Sequence, residues 1–167
     1  MIRPPYAPPE AIAALNAAHR SGARENALRL APVHQVFTAT LTDVVEDRVL
    51  AAAQETSWRD VTGTTAAEVA PRDGRYVLTS ENQGPFVAAT ADALERAKQL
   101  DGDYELRVLS IPALYVVALW LHADSTDVLI PLAPAPNGLT ANEPYDEASF
   151  TAALRPLAEK RSTQPMV

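Results

Sequence analysis

Residues 106–132, LRVLSIPALYVVALWLHADSTDVLIPL, leave this chain few ways to fold. A membrane-spanning helix needs about 20 consecutive apolar residues. Here the apolar run covers only 108–121, contains Ser110 and Pro112, and is ended by His122 and Asp124. The core of a water-soluble protein is the better match. Pro112 also opposes a helix through the run, because proline lacks an N–H and its ring clashes with the preceding turn. Val, Tyr and Trp fit a pleated surface, and Asp124-Ser125-Thr126-Asp127 supplies turn chemistry. The pattern predicts strands over 104–110, 113–122 and 127–131. In the middle strand Leu114, Val116, Ala118 and Trp120 share one face, and Tyr115, Val117, Leu119 and Leu121 share the other. Both faces are apolar, which predicts a central strand covered on both sides.

The chain has 167 residues, a length that suits one domain. About 70% of the unfolded surface is buried at this size, enough to fold without staples. The absence of cysteine excludes disulfides, thiolate zinc sites and cysteine nucleophiles. A net charge of −7 opposes the counterion release that drives nucleic-acid binding. It equally opposes attraction to anionic lipid, so neither nucleic acid nor membrane is an expected partner. A basic protein is the partner it favours. The opening MIRPPYAPPEA has no apolar stretch of the signal-peptide kind. Together with abundant Ala and Arg, this leads to the expectation of a cytoplasmic protein from a GC-rich bacterium.

The remaining periodicities outline the other elements. Residues 1–9 form a proline-rich arm. Helix is expected over 10–20, resuming over 24–30, then a short strand over 33–39. Leu41, Val45, Val49 and Ala52 make one apolar stripe, predicting a helix over 42–56, with Thr40 and Asp43 as an imperfect capping box. Strands 64–70 and 75–79 flank the turn Pro71-Arg72-Asp73-Gly74. Gly84-Pro85 opens a helix that Gly102 is expected to stop. A proline-rich loop covers 131–144. Asp146 caps a last helix with Phe150, Ala153, Leu154, Leu157 and Ala158 inward, kinked at Pro156. Residues 162–167 read as a flexible tail and 10–161 as the domain. The expected class is α+β: a mainly antiparallel sheet of about five strands with helices packed against it.

No established catalytic or nucleotide-binding motif is present. His19, His34 and His122 fall in different elements, so no metal site and no cofactor are expected. The candidate catalytic or ligand-binding residues are Glu81 and Asn82, in the strand-to-helix junction Ser80-Glu81-Asn82-Gln83-Gly84, and His122, at a strand end beside Asp124, with Tyr115 as a further member. A helix N-terminus attracts anions, but Pro85 removes a donor there and Glu81 repels a negative ligand. Glu46-Asp47 and Asp101-Gly102-Asp103 read as solvated carboxylates. Trp58 and Arg59, expected at a helix end, are residue types favoured in binding hot spots. The sequence therefore leads to the expectation of a non-catalytic protein-binding module, of the adaptor, escort, immunity or assembly kind. Homodimerisation is one way for it to cover a sheet face or edge. The alternative is a small-molecule enzyme or binding domain with its site near Glu81, Asn82 and His122.

Overall fold

The computed structural model describes residues 1–20 and 31–165. The helix expected over 24–30 lies outside the described residues, as do Met166 and Val167. Among the described residues eight strands form one sheet: β1 Ile2–Arg3, β2 His34–Thr38, β3 Gln54–Thr62, β4 Thr65–Arg72, β5 Arg75–Asn82, β6 Tyr104–Ile111, β7 Val116–His122 and β8 Val128–Pro131. The helices are α1 Pro9–Arg20, α2 Leu41–Val45, α3 Val49–Ala52, α4 Pro85–Lys98 and α5 Glu147–Thr163. The strand order is β5-β4-β3-β2-β6-β7-β8, with β1 added on β6.

The α+β class stands, with two corrections. The sheet has eight strands, not about five, and it is mixed. Two antiparallel ribbons, β2 to β5 and β6 to β8, meet where β2 runs parallel to β6, and β1 is parallel to β6 as well. The opening arm thus begins as a short strand, with Ile2 opposite Tyr104 and Arg3 opposite Glu105.

The largest misreading is the helix expected over 42–56. The chain there forms α2, then α3, then the first residues of β3. Thr40 accepts from the Asp43 backbone N–H at 3.2 Å, and Asp43 accepts from that of Thr40 at 2.9 Å, so aspartate completes the capping box. Asp47 then adopts φ 59°, which breaks the helix after one turn. The stripe shifts accordingly: Val44 and Val49 are buried while Val45 is exposed. The β4–β5 turn is also tighter than expected. Arg72 pairs with Arg75, and the loop is Asp73-Gly74 at φ 50° and 77°, the left-handed pair of a two-residue hairpin. α5 runs unbroken through Pro156 and takes in Ser162 and Thr163, expected to lie in the tail.

Both faces of β7 are covered, as its sequence predicts. Val116, Ala118 and Trp120 pack with Phe150 and Leu154 of α5 and with α2 and α3. Leu119 and Leu121 pack with Ala93, Leu94 and Ala97 of α4. α1 covers the β3–β4 end of the α5 side through Ala11 and Leu15, against Trp58, Ala67 and Val69. Residues 113–115 are not strand: Pro112–Leu114 form a 3-10 turn, and Tyr115 closes it at φ 53°, ψ 42°, with 74% of its surface exposed. A left-handed non-glycine residue costs about 1–2 kcal/mol, partly offset by the entropy glycine itself loses on folding. Tyr115→Gly is expected to raise stability by about 0.5–1 kcal/mol in urea unfolding. A loss instead would mean that the exposed ring contributes more than the backbone strain.

Candidate functional site

The expected cluster of Glu81, Asn82 and His122 does not assemble. Glu81 and Asn82 end β5, while His122 ends β7. Five strand spacings separate those strands, about 24 Å along a sheet at about 4.8 Å per spacing. Glu81 and Asn82 are adjacent in one strand and so face opposite sides. His122 has a local partner: its Nδ1 lies 2.8 Å from Asp127 Oδ1, which also accepts the Trp120 indole N–H at 2.8 Å. The partner is Asp127, across the β7–β8 turn, and not Asp124. Beside this pair the Arg107 guanidinium sits 5.0 Å from the Phe37 ring centre and 4.8 Å from that of Trp120. Glu105 holds it at 2.8 Å. These residues tie the sheet face together under α5. Tyr115 lies elsewhere, lining a surface hollow together with Leu157 and Arg161 of α5.

Trp58 and Arg59 are in β3, not at a helix end, and both are buried, at 7% and 4% exposure. Strand alternation sends them to opposite faces. Trp58 reaches an open groove on the α1 side. That groove, of about 490 Å³, lies between the opening arm and the sheet. Trp58 and Gln35, paired across β3 and β2, line it from the sheet. Pro5, Tyr6, Pro8, Pro71 and Tyr76 line it too, with Glu55 and Glu105 bringing the carboxylates. Tyr6 is 85% exposed, so its ring is available to a partner. The groove exists because β1 anchors the arm to β6, which holds Pro5 and Tyr6 beside β3.

The opposite face carries a polar core. His34 pairs with Arg59 across β2 and β3, and Arg59 pairs with Glu68 across β3 and β4, so all three side chains share the α4 face. Arg59 donates from Nη2 to Thr90 Oγ1 of α4 at 3.1 Å, and Thr90 in turn donates to the Phe86 carbonyl at 2.9 Å. Ser57 donates to Glu68 Oε2 at 3.0 Å. Burial pulls the Arg59 guanidinium below its ordinary pKa, while the nearby Glu68 and Asp60 charges oppose that shift. His34 is fully buried, with Nδ1 2.8 Å from the Pro32 carbonyl and Nε2 unpartnered. Loss of hydration, then the Arg59 charge, push its pKa down to about 3, against the hydrogen bond to Pro32. His34 is therefore neutral at pH 7.

The sequence reading weighed His34 only as one of three scattered histidines and gave Glu68 and Ser57 no role, since neither belongs to a motif. A signal was present in TSWRDVT, where Trp58 and Val61 are apolar members of a strand long enough to cross the whole sheet. Among the described residues, no three His, Asp or Glu side chains converge as a metal-binding set, and no helix is long and apolar enough to cross a membrane. No protein-family model matches the chain, and no curated protein or solved structure matches it either.

Proposed function

We propose that this protein is a non-catalytic protein-binding module that holds an extended, basic, proline-containing segment of its partner in the Trp58 groove. The observation that carries this reading is the lining itself: three aromatic rings and three prolines with two glutamates. Aromatic surfaces accept a polyproline segment, which comes pre-extended and loses little entropy on docking. Glu55, with Glu105 already paired to Arg107, favours arginine or lysine flanking that segment, in line with the chain's charge of −7. Partner charge then governs encounter rate and specificity.

The test is calorimetric titration with a synthetic proline-rich peptide flanked by arginines. A contact this small should bind weakly, with Kd about 10–100 μM. Tyr6→Ala, at an exposed position, and Glu55→Lys should each weaken binding about tenfold or more, equivalent to about 1.4 kcal/mol. Raising the salt should weaken it further, because the rim charges are solvated. Unchanged affinity in both variants, or no heat with the wild-type protein up to about 1 mM peptide, would sink the reading.

A further inference from the structure

A second cavity, of about 300 Å³, lies on the α4 face. It opens between the first turn of α4, at Phe86 and Val87, and the turn at Pro112, and Thr56 of β3 is the residue it shares with the Trp58 groove. Arg59 and Glu68 both line it. They are direct cross-strand neighbours, yet among the described residues no carboxylate comes within 4.0 Å of a nitrogen of Arg59. A guanidinium has five N–H donors. Among the described residues only the one to Thr90 is satisfied; Nε has no partner and is closed off, so a ligand would meet the guanidinium at its Nη end. A buried charge held this way costs several kcal/mol unless something completes its pairing. Glu68 is half-buried, and among the described residues its carboxylate accepts from the neutral Ser57 hydroxyl alone, at 3.0 Å. The cavity thus presents one cation and one anion side by side without a mutual salt bridge. Its remaining surface includes Val36, Val108, Val117 and Phe86.

We infer that this cavity is a binding site for a small zwitterion of the apolar α-amino-acid type, whose carboxylate pairs with Arg59 and whose ammonium pairs with Glu68. A simple anion would meet the Glu68 charge, and a simple cation the Arg59 charge. A molecule carrying both satisfies both. Planar, forked donors on arginine suit a carboxylate in particular. The valine and phenylalanine walls take an aliphatic side chain, and the volume sits at the small end of ligand pockets. Asn82, which reaches this cavity from β5, adds an amide. The inference does not rest on the peptide groove, whose Trp58 faces the other side of the sheet.

The test is a thermal-shift and calorimetric series on the whole chain. The probes are L-valine and L-leucine, with the matching acids that lack the amine and the matching amines that lack the carboxylate. The amino acids should raise the melting temperature and give saturable binding heat, and each truncated analogue should bind at least about tenfold more weakly, having lost one of two charge pairings. Arg59→Met and Glu68→Gln should each abolish the shift. Should Arg59→Met fail to fold, Ser110→Phe, which fills the cavity from β6, keeps the question open to an answer: binding must vanish there too. The inference is overturned if neither amino acid binds at about 10 mM, if the acid alone binds as tightly as the zwitterion, or if Ser110→Phe binds undiminished.

Discussion

Replacing Phe150 with alanine should lower the unfolding free energy by about 3–5 kcal/mol, the usual cost of truncating a fully buried aromatic ring. Phe150 is wholly inaccessible, at the start of α5, in the cluster with Phe37, Leu109, Trp120 and Leu129. It therefore couples the last helix to β2, β6, β7 and β8 at once. Helix α5 cannot hold itself. Pro156 removes one of its hydrogen bonds and sits within it, at a cost of about 3 kcal/mol in a helix interior. Packing by Phe150, Leu154 and Ala158 must supply the difference, along with the Asp146 cap, which accepts the Ser149 N–H at 2.7 Å. Urea unfolding followed by circular dichroism measures the loss. A change under about 1 kcal/mol would mean that the ring's place is easily refilled, against the packing described.

The second large effect is a loss of stability in acid that traces to one histidine. The folded pKa of His34 is lowered to about 3 from an ordinary 6.5. The unfolded chain therefore takes up the proton near pH 6.5, while the native state refuses it until about pH 3. Stability is full above pH 6.5 and falls as pH drops through that window, because the unfolded state binds more protons there. At about 1.36 kcal/mol per unit, the loss between pH 7 and pH 3 is on the order of 4 kcal/mol. Burial fixes the sign and the Arg59 charge adds to it, against the hydrogen bond to Pro32. Arg59 stands directly opposite His34 in register, and a second positive charge there would be repelled, while Asp60 and Glu68 act on Arg59. Carboxylates elsewhere also titrate in this range, so the measurement is a difference. The pH profile of unfolding for the wild type, minus that for His34→Gln, should slope downward towards acid between pH 6 and pH 4. Parallel profiles would show that His34 gains its proton as easily folded as unfolded.

The apolar block was legible because each residue there agrees with its neighbours. Val117, Leu119 and Leu121 alternate with Val116, Ala118 and Trp120, and both faces end up buried. The misplaced boundary came from Tyr115, whose left-handed backbone no side-chain pattern announces. β3 failed for the opposite reason. Its buried members include Ser57, Arg59, Asp60 and Thr62, which the ordinary rule sends to solvent. They are tolerated because cross-strand neighbours and α4 meet several of them, and those partners lie far along the chain. The same non-local pairing explains the candidate sites. Trp58 stands out in the sequence by residue type alone, and the groove it lines is completed by the opening arm and by β5. Arg59 was grouped with it by adjacency, and the pleat parts them. His122, Glu81 and Asn82 were grouped by polarity at element ends, which says nothing about strand order.

The parallel seam between β2 and β6 has a kinetic consequence. Apart from α2 and α3, which lie between β2 and β3, short turns join the successive strands of each ribbon, so most of each ribbon is locally paired. Gln35 meets Arg107, and Val36 meets Val108, only after the whole of β3, β4, β5 and α4 has been threaded between them. Distant closures of this kind are the slow ones. The joining of the two ribbons is thus the expected slow step, and it is the step that brings Val36 and Val108 together.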